Sequence, residues 1–246
     1  MKTAVITGSS SGIGKSICDL ILKMGFKVYG ISRSSSNYDS PNFVWIQADL
    51  ADYNSFSHIS GQITEDAIDV LVNNAGIAFE QDALDFNEKD FKRLFDINFK
   101  APILLVKELK KKIKQGLVIN ISSVSDRLVG EKYALYCSSK AALNTYFDVA
   151  ALEEKNMKII SILPSYIDTP LLRKLQEHNK DFDWNLTMKP EQIAEFVERI
   201  INDNKDLSSG AKVIVVSDSL KEDLEYNENL WGYNVTTKEL LKVKQN

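Results

Sequence analysis

Cysteine and histidine are scarce in this chain of 246 residues, which contains two of each. Cys18 and Cys137 do not have the spacing of metal ligands, and two thiols alone are more simply interpreted as reduced cysteines than as a disulfide framework. Neither His58 nor His178 has a cysteine, a second histidine or a carboxylate at ligand spacing. We therefore predict that the protein has no metal site.

Long apolar runs and an excess of positive charge are also missing. No apolar run approaches the roughly 20 residues that a bilayer span needs, and the chain enters strand-like sequence without a signal-peptide pattern. The 30 Lys and Arg residues are outnumbered by 34 Asp and Glu residues, for a net charge of −4, whereas a nucleic-acid-binding domain is normally basic. We expect a cytoplasmic protein with neither a membrane nor a nucleic acid as its partner.

Short, nearly continuous runs of Val, Ile and Leu alternate with segments whose apolar residues follow helical spacing. This alternation predicts a parallel sheet covered by helices on both faces, because such strands are buried on two sides. Seven strands and about six helices fit one doubly wound Rossmann-type α/β domain over residues 1–246. The first helix is predicted to begin near Gly12 and to end at Gly25. The predicted strands are residues 4–7, 27–31, 43–47, 68–72, 117–121, 158–163 and 212–216.

A glycine-rich stretch at residues 7–14 joins the first strand to the first helix. Glycines let the backbone approach a ligand closely, and the unpaired N–H groups at a helix start attract phosphate. Two ligand classes use this arrangement. A P-loop for nucleoside triphosphates would end as Gly14-Lys15-Ser16 does, but it needs a glycine where Ser9 stands. A dinucleotide site is the alternative, and this stretch alone leaves both open.

The residues after the second strand bear on which dinucleotide would bind. Folds that prefer NAD usually place Asp or Glu here to accept a hydrogen bond from the ribose 2′-hydroxyl, but this chain has Ser32. Arg33 would instead attract a 2′-phosphate, and Ser34 would donate a further hydrogen bond; the alternative is an ordinary exposed arginine. Asp49 and Leu50, after the third strand, are candidates for the adenine edge, and a helix N-cap is the alternative for Asp49.

Small residues and amides follow the fourth strand in the run Asn-Asn-Ala-Gly at 73–76. Such a run lets the backbone pass close to a flat ligand, although by itself it is also typical of a turn. Beyond it, residues 88–99 and 101–114 predict one long helical passage with an interruption. Asn98 lies on an otherwise apolar face of this passage, so its amide requires buried hydrogen-bond partners or water.

Tyr136 and Lys140 follow the fifth strand and are four residues apart. On a helix they share a face, so the ammonium group would favour the phenolate. A free phenol has a pKa of about 10 and is a poor acid or base at neutral pH, and a nearby cation moves that pKa toward the useful range. Tyr133 has no lysine at this spacing. Helices also place such pairs by chance, so the pair alone is weak support for catalysis.

The pattern as a whole resembles the short-chain dehydrogenase/reductase family over residues 1–216. It consists of the loop Thr7-Gly-x-x-x-Gly-Ile-Gly14, the run at 73–76, Asn98, Ser123 and Tyr136-x-x-x-Lys140. In that family the serine lies thirteen residues before the tyrosine, which favours Ser123 over Ser122 and Tyr136 over Tyr133. The resemblance implies a sheet order of 3-2-1-4-5-6-7. It also implies cofactor contacts from Gly8, Ser10, Gly12, Ile13, Gly14, Arg33, Ser34, Asp49, Leu50, Asn74, Ala75, Gly76, Tyr136, Lys140, Ile167 and Thr169.

The same resemblance implies a site of four residues. Tyr136 would exchange a proton with the substrate oxygen, while Ser123 hydrogen-bonds that oxygen. Lys140 would lower the pKa of Tyr136 and hold the nicotinamide ribose. Asn98 would hold a water that connects the lysine to solvent.

Two segments near the C-terminus depart from the family pattern. Residues 164–169 are similar to the family's Pro-Gly-x-x-x-Thr segment, but Ser165 replaces the glycine, so a backbone that needs positive φ there would be shifted or strained. Residues 170–190 are expected to form a lid whose apolar side chains either contact the substrate or simply pack. Residues 217–246 form a tail that lacks the family's Val-Asp-Gly-Gly turn.

We therefore predict an oxidoreductase that transfers a hydride between NADP(H) and a small carbonyl or secondary alcohol substrate, with NAD as the alternative cofactor. A dinucleotide-binding redox sensor without turnover is the alternative from another functional class. A P-loop NTPase is the third candidate, but it leaves the Tyr136–Lys140 pair unexplained. The helix at residues 135–154 corresponds to one that mediates dimers in many relatives, so we expect a homodimer, with a tetramer left open.

Overall fold

One nine-stranded sheet runs through the part of the chain that the computed structural model describes, which is residues 1–36, 38–217 and 230–242. The strand order is 3-2-1-4-5-6-7-8-9. Neighbouring strands are parallel except for the last, which runs antiparallel to the eighth. The strands are β1 (Thr3–Thr7), β2 (Lys27–Ser32), β3 (Phe43–Gln47), β4 (Val70–Asn73), β5 (Leu117–Ile121), β6 (Lys158–Pro164), β7 (Ala211–Val216), β8 (Leu230–Asn234) and β9 (Glu239–Lys242).

Helices cover both faces of the sheet, and several of them position the site described below. Two short 3-10 turns, Val124–Asp126 and Trp184–Leu186, and a π-helical segment, Asp96–Lys100, complete the helical structure of the described residues. The α-helices are α1 (Gly12–Lys23), α2 (Ser55–Gln62), α3 (Glu88–Phe95), α4 (Ala101–Leu109), α5 (Ala134–Glu153), α6 (Pro170–Leu175) and α7 (Pro190–Asn202).

Two apolar cores lie on opposite faces of the sheet because successive side chains of a strand point to opposite sides. In β1, Ala4 and Ile6 join a core that contains residues of α1 and α7, including Ile17 and Phe196. Val5, between them, joins the second core, to which α2, α4 and α5 contribute. Burial on both faces explains why these strands are uninterrupted apolar runs.

The doubly wound fold and the order of the first seven strands are confirmed, and each predicted strand overlaps an observed one. The first helix begins at Gly12 as predicted, and Gly25 follows its cap with a φ of +81°. The prediction of seven strands is wrong, because residues 230–242 of the expected tail add β8 and β9 to the sheet. The short sequences of β8 and β9 have no continuous aliphatic run that would predict a strand. β8 joins the sheet by pairing with β7. The rest of the expected tail, residues 218–229 and 243–246, lies outside the described residues.

The carboxyl ends of the parallel strands meet at one edge of the sheet, where α/β folds bind their ligands. The ends of β1, β4, β5 and β6 therefore bring the glycine-rich loop, the 73–76 run, Ser123 and Ser165 to the same edge. Within the described residues, no helix combines the length and the apolar character that a membrane crossing requires.

Candidate active site

Tyr136 and Lys140 occupy one face of α5, as their spacing predicts. The Nζ atom of Lys140 lies 5.8 Å from the centre of the Tyr136 ring and donates a hydrogen bond of 3.0 Å to the carbonyl oxygen of Ile121, at the end of β5. Tyr136 is half-buried, whereas Lys140 is only 4% exposed. The lysine is thus held beneath the phenol by the end of a central strand.

Ser123 follows β5 directly and caps the 3-10 turn Val124–Asp126. Its Oγ atom accepts a hydrogen bond of 3.1 Å from the Ser125 amide and lies 3.0 Å from the Ser125 hydroxyl. The Ser123 hydroxyl lies close enough to the Tyr136 phenol to favour its ionised form and so to act against the rise in its pKa. Ser123 and Tyr136 therefore bring two hydroxyl groups together at the end of β5; Ser122 and Ser123 are both buried, at 5% and 8% exposure.

The turn that carries Ser123 is held to α5 by a largely buried polar cluster. Arg127 donates two hydrogen bonds of 2.7 Å to the Asp126 carboxylate. Asn144 of α5 donates a third, also of 2.7 Å, to the same carboxylate. This contact fixes the serine and the tyrosine, which come from different elements, relative to each other.

Asn98 lies in the π-helical segment Asp96–Lys100, between α3 and α4. The wider turn is visible in the bond from the Ala101 amide to the Asp96 carbonyl, five residues back. Asn98 is 1% exposed, and its amide exchanges two hydrogen bonds of 2.8 Å with the backbone of Ile77 and donates a third, of 3.2 Å, to Ser139 of α5. The helical passage predicted over residues 88–114 is therefore interrupted at a predicted site residue.

The electrostatics of the pair differ from the expectation in one respect. Burial lowers the pKa of the Lys140 ammonium to about 8. Burial also raises the pKa of Tyr136 above its ordinary value, and this effect outweighs the opposite effect of the Ser123 hydrogen bond. The expected lowering of the Tyr136 pKa by Lys140 is absent from this structure, because desolvation of the phenolate dominates.

The glycine-rich loop has the backbone that its sequence predicts. Gly8 and Gly12 have φ angles of +71° and +53°, in the region that favours glycine. A Cβ atom on Gly14 would lie 2.2 Å from the carbonyl oxygen of Gly8, so only glycine fits there. The Thr7 hydroxyl accepts hydrogen bonds of 2.9 Å from the amides of Asn74 and Ala75, which attaches the 73–76 run to this loop.

A cleft of about 160 Å³ lies beside the loop, between the ends of β1, β2, β3 and β4. It contains seven residues predicted to contact a cofactor, namely Gly8, Ser10, Arg33, Asp49, Leu50, Ala75 and Gly76. Six further lining residues were not among those predictions: Ser11, Ile31, Ser32, Ala48, Ile77 and Ile97. Ser11, Ser32, Ala48 and Ile77 adjoin predicted residues in the chain, so sequence position could have indicated them. Ile31 lies two positions before Arg33, and Ile97 reaches the cleft from the π-helical segment.

The other predicted cofactor residues do not line this cleft. Asn74 donates a hydrogen bond of 2.9 Å to the Thr7 carbonyl, and Ser34 is exposed. Thr169 caps α6, and a Cβ atom on Gly12 would lie 3.2 Å from its methyl carbon. Ile167 is buried and forms a bridge with Met188. Ile13 packs against the core below the loop, and Gly14 lies in the first turn of α1.

Charge at the rim of the cleft is distributed between Arg33 and Asp49. Arg33 is exposed, and its positive charge reaches Asp49. Burial raises the pKa of the Asp49 carboxyl, but hydrogen bonds from the Ala51 amide and from Arg93, at 3.1 Å, together with the Arg33 charge bring it below its ordinary value. Asp49 is thus an ionised, partnered carboxylate, and Arg33 is a cation at the cleft mouth.

Serine hydroxyls form the floor of the loop that carries Arg33. Ser32 lies 3.3 Å from Ser9 and 3.1 Å from Ser36, and it accepts a hydrogen bond of 3.0 Å from the Trp45 indole. Ser9 and Ser36 lie 3.0 Å apart. Ser32 therefore connects the glycine-rich loop to the loop after β2, so it has a structural role where an NAD-binding acid would otherwise stand.

The segment after β6 follows a relaxed path despite the loss of the family glycine. Ser165 is absent from the described non-glycine residues with positive φ, and its amide donates a hydrogen bond of 3.0 Å to the Val215 carbonyl. The expected strain at Ser165 is therefore absent. Residues 170–190, the expected lid, contain α6, and edge-to-face aromatic contacts run from Tyr166 through Phe182 to Trp184.

Metal ligands are not grouped in the described part of the chain, where no three His, Cys, Asp or Glu side chains are placed to hold an ion. Both cysteines are buried and unpaired.

Comparison with known proteins points to one family. The family model described as short chain dehydrogenase matches residues 2–180. The chain is 33% identical over 195 residues to 3-oxoacyl-[acyl-carrier-protein] reductase FabG of Rickettsia prowazekii, with 73% of this chain and 78% of the relative covered. It is 29% identical over 181 residues to L-xylulose reductase of Bos taurus, with 69% and 73% covered. The crystal structure of BdcA in complex with NADPH is 26% identical, with a TM-score of 0.76 over 87% of this chain and 92% of that one.

Proposed function

This chain belongs to the short-chain dehydrogenase family, and from that premise we propose that it is an NADP(H)-dependent oxidoreductase interconverting a carbonyl and a secondary alcohol. One domain would carry both the cofactor and the substrate sites. The observation that supports this proposal most directly is the convergence of Tyr136, Ser123 and Lys140 at one strand edge, beside a glycine-lined cleft. Family membership also favours a dinucleotide over the nucleoside triphosphate that a P-loop would bind.

The cleft fits the phosphates of a dinucleotide. Gly8, Gly12 and Gly14 keep side chains away from the start of α1, where backbone N–H groups and the helix dipole favour an anion. Arg33 at the mouth supplies the cation that a 2′-phosphate needs, and serines rather than a carboxylate occupy positions 32 and 34–36 beside it. When bound, the nicotinamide group supplies or accepts the hydride.

Tyr136 is proposed to transfer the proton. Because burial raises its pKa, the phenol is protonated at neutral pH, which suits a general acid that donates to a carbonyl oxygen during reduction. Ser123 would hydrogen-bond the same oxygen as negative charge develops on it. This protonation state supports reduction as the working direction.

Lys140 and Asn98 are proposed to return the proton to Tyr136 from solvent. A Cβ atom placed on Gly76 would lie 3.5 Å from the Asn98 Oδ1 atom and 3.7 Å from the Lys140 Nζ atom. Both polar atoms therefore border one small space in which a water would bridge them. Lys140, with a pKa of about 8, exchanges a proton readily near neutral pH.

Replacing Tyr136 with Phe tests the reaction. We expect turnover with NADPH and a panel of ketones and aldehydes to fall by about a thousandfold, since the only proposed proton donor is removed. NADPH oxidation at 340 nm measures the rate, and fluorescence titration should give an unchanged NADPH affinity. Tyr53→Phe, at an exposed tyrosine before α2, is the matched control. Wild-type protein that binds NADPH but reduces none of the panel would instead support the redox sensor.

Replacing Arg33 with Ala tests the choice of cofactor. We expect the wild type to bind NADPH more tightly than NADH, and the variant to lose about tenfold in NADPH affinity, the worth of a charge-assisted contact to phosphate. NADH affinity should stay the same. Lys23→Ala, at an exposed cation at the far end of α1, controls for net charge. Equal losses for both cofactors, or tighter binding of NADH, would reject the NADP assignment.

We also propose that two copies associate through α5. Tyr146, Val149 and Leu152 follow one another at three-residue intervals on this helix and are 43%, 50% and 73% exposed. Apolar side chains grouped in this way are typical of an interface. A second copy cannot extend the sheet at β7, because β8 of the same chain occupies that edge. A cytoplasmic location, where NADPH is kept reduced, is part of the same proposal.

A further inference from the structure

Tyr133 extends the face of α5 that carries Tyr136 and Lys140. It is the N-cap residue of this helix, three positions before Tyr136, and residues three and four apart on a helix lie on the same face. Tyr133 is half-buried, and the neighbouring Glu131 and Lys132 are exposed and opposite in charge. The row of Tyr133, Tyr136 and Lys140 therefore runs from the surface to the buried lysine.

Two other segments reach Tyr133 at the surface end of this row. Its hydroxyl donates a hydrogen bond of 2.9 Å to the Oε1 atom of Glu80, in the loop after β4. The Gln81 amide donates a bond of 2.9 Å to the Lys132 carbonyl, which fixes this loop against the start of α5. Tyr166, after β6, is close enough to act electrostatically on Tyr133. Glu80 and Tyr133 thus lie in contact at the surface end of this row, with Tyr166 nearby, and we take this end as the entrance to the proposed site.

Glu80 gives this entrance a negative charge and an available acceptor. Its side chain is exposed, and within the described residues no hydrogen bond is made to its Oε2 atom. Burial and the Glu80 contact raise the pKa of Tyr133, so its phenol stays a donor at neutral pH. Arg173, one of four Lys and Arg residues in segment 170–190, is already paired with Asp168 through bonds of 2.6 Å and 2.8 Å. An anionic substrate would therefore meet the Glu80 carboxylate at the entrance, and the charge of Arg173 is already neutralised.

We propose that Glu80, with Tyr133, selects uncharged carbonyl substrates that bear hydroxyl groups beside the carbonyl, such as short polyhydroxy ketones. A carboxylate oxygen accepts a hydrogen bond from a substrate hydroxyl, and such bonds to charged groups are strong. An apolar ketone would displace water from the carboxylate without replacing the hydrogen bonds that the water made. An anionic ketone would be repelled by the charge of the carboxylate. This inference rests on the proposed function and concerns the substrate end of the same site.

Three ketones of four carbons test the selection. Erythrulose carries hydroxyl groups, butanone carries none, and acetoacetate carries a carboxylate. With NADPH present, we expect the wild type to prefer erythrulose over the other two by about tenfold in kcat/KM. Glu80→Gln should lower kcat/KM for erythrulose by about tenfold, mainly by raising KM. The same variant should raise kcat/KM for acetoacetate and leave kcat/KM for butanone unchanged. Tyr133→Phe should lower kcat/KM for erythrulose in the same way.

Asp66→Asn serves as the control, since Asp66 is exposed and precedes β4 at the opposite edge of the sheet. An unchanged NADPH affinity shows that each variant is folded. Equal losses for all three ketones in Glu80→Gln, or a wild-type preference for butanone or acetoacetate, would overturn this inference while leaving the oxidoreductase in place. Failure of the wild type to reduce these or any other carbonyl would overturn the proposed function, and this inference with it.

Discussion

Lys140 illustrates at the scale of one residue how a reactive group opposes the stability of the fold. Its ammonium is 4% exposed and has the Ile121 carbonyl as a hydrogen-bond acceptor. Desolvation lowers its pKa from 10.5 to about 8. Between these two values the unfolded chain binds a proton that the native chain releases, so the free energy of unfolding rises with pH in this window. Below pH 8 the cost of burying the charge is fully present.

Lys140→Met removes this titration. We compare the free energy of unfolding of the variant minus that of the wild type at two pH values. We expect this difference to be more favourable to the variant at neutral pH than near pH 10, by about 2 kcal/mol. Urea unfolding of both proteins at the two pH values measures the difference. The comparison between pH values is independent of the hydrogen bond lost at Ile121, because that loss is the same at each. A difference that stays constant with pH would mean that Lys140 keeps an ordinary pKa in the native protein.

At the scale of elements, the spacing of residues in the sequence predicted the strands and helices that depend on near neighbours in the chain. It did not predict features that depend on contacts between different elements. The strands, α1 and the α5 pair follow from local patterns, because two-sided burial and helical periodicity leave their mark in sequence. An interrupted helical passage was expected over residues 88–114, but neither the π-helical form of residues 96–100 nor the contact of Asn98 with the Ile77 backbone could be read from spacing.

Serine-rich loops show the same limit. Ser9, Ser32 and Ser36 resemble ordinary polar loop residues in sequence, and only the pairing of β1, β2 and β3 brings their hydroxyls together under the Trp45 indole. The Glu80 contact to Tyr133 is likewise a pairing across 53 positions of the chain. The raised pKa of Tyr136 was missed for a related reason, since the desolvation that causes it comes from the packed fold and not from the neighbouring lysine.

At the scale of the whole molecule, the proposed dimer would form through the exposed face of α5. Tyr146 also contacts Phe99 edge to face, with ring centres 6.2 Å apart, so the apolar surface continues from α5 toward the π-helical segment. We use the name α5 face for the exposed side chains of Tyr146, Val149 and Leu152. Asn98 of the π-helical segment donates a hydrogen bond to Ser139 of α5. A dimer formed through the α5 face would therefore use the same elements that carry the proposed site.

Val149→Asp tests this assembly, because a charge at the middle of the α5 face would be buried without a partner in a dimer. We expect the wild type to sediment as a dimer and the variant as a monomer, with the dissociation constant raised by at least about a hundredfold. Tyr53→Glu introduces the same charge at a 72% exposed tyrosine away from this face, and it should leave the dimer intact. A wild-type monomer would reject the dimer, and a Val149→Asp protein that still dimerises would place the contact elsewhere. Since each copy keeps its own Tyr136, Ser123 and Lys140, the monomeric variant should retain NADPH binding, which separates assembly from cofactor binding.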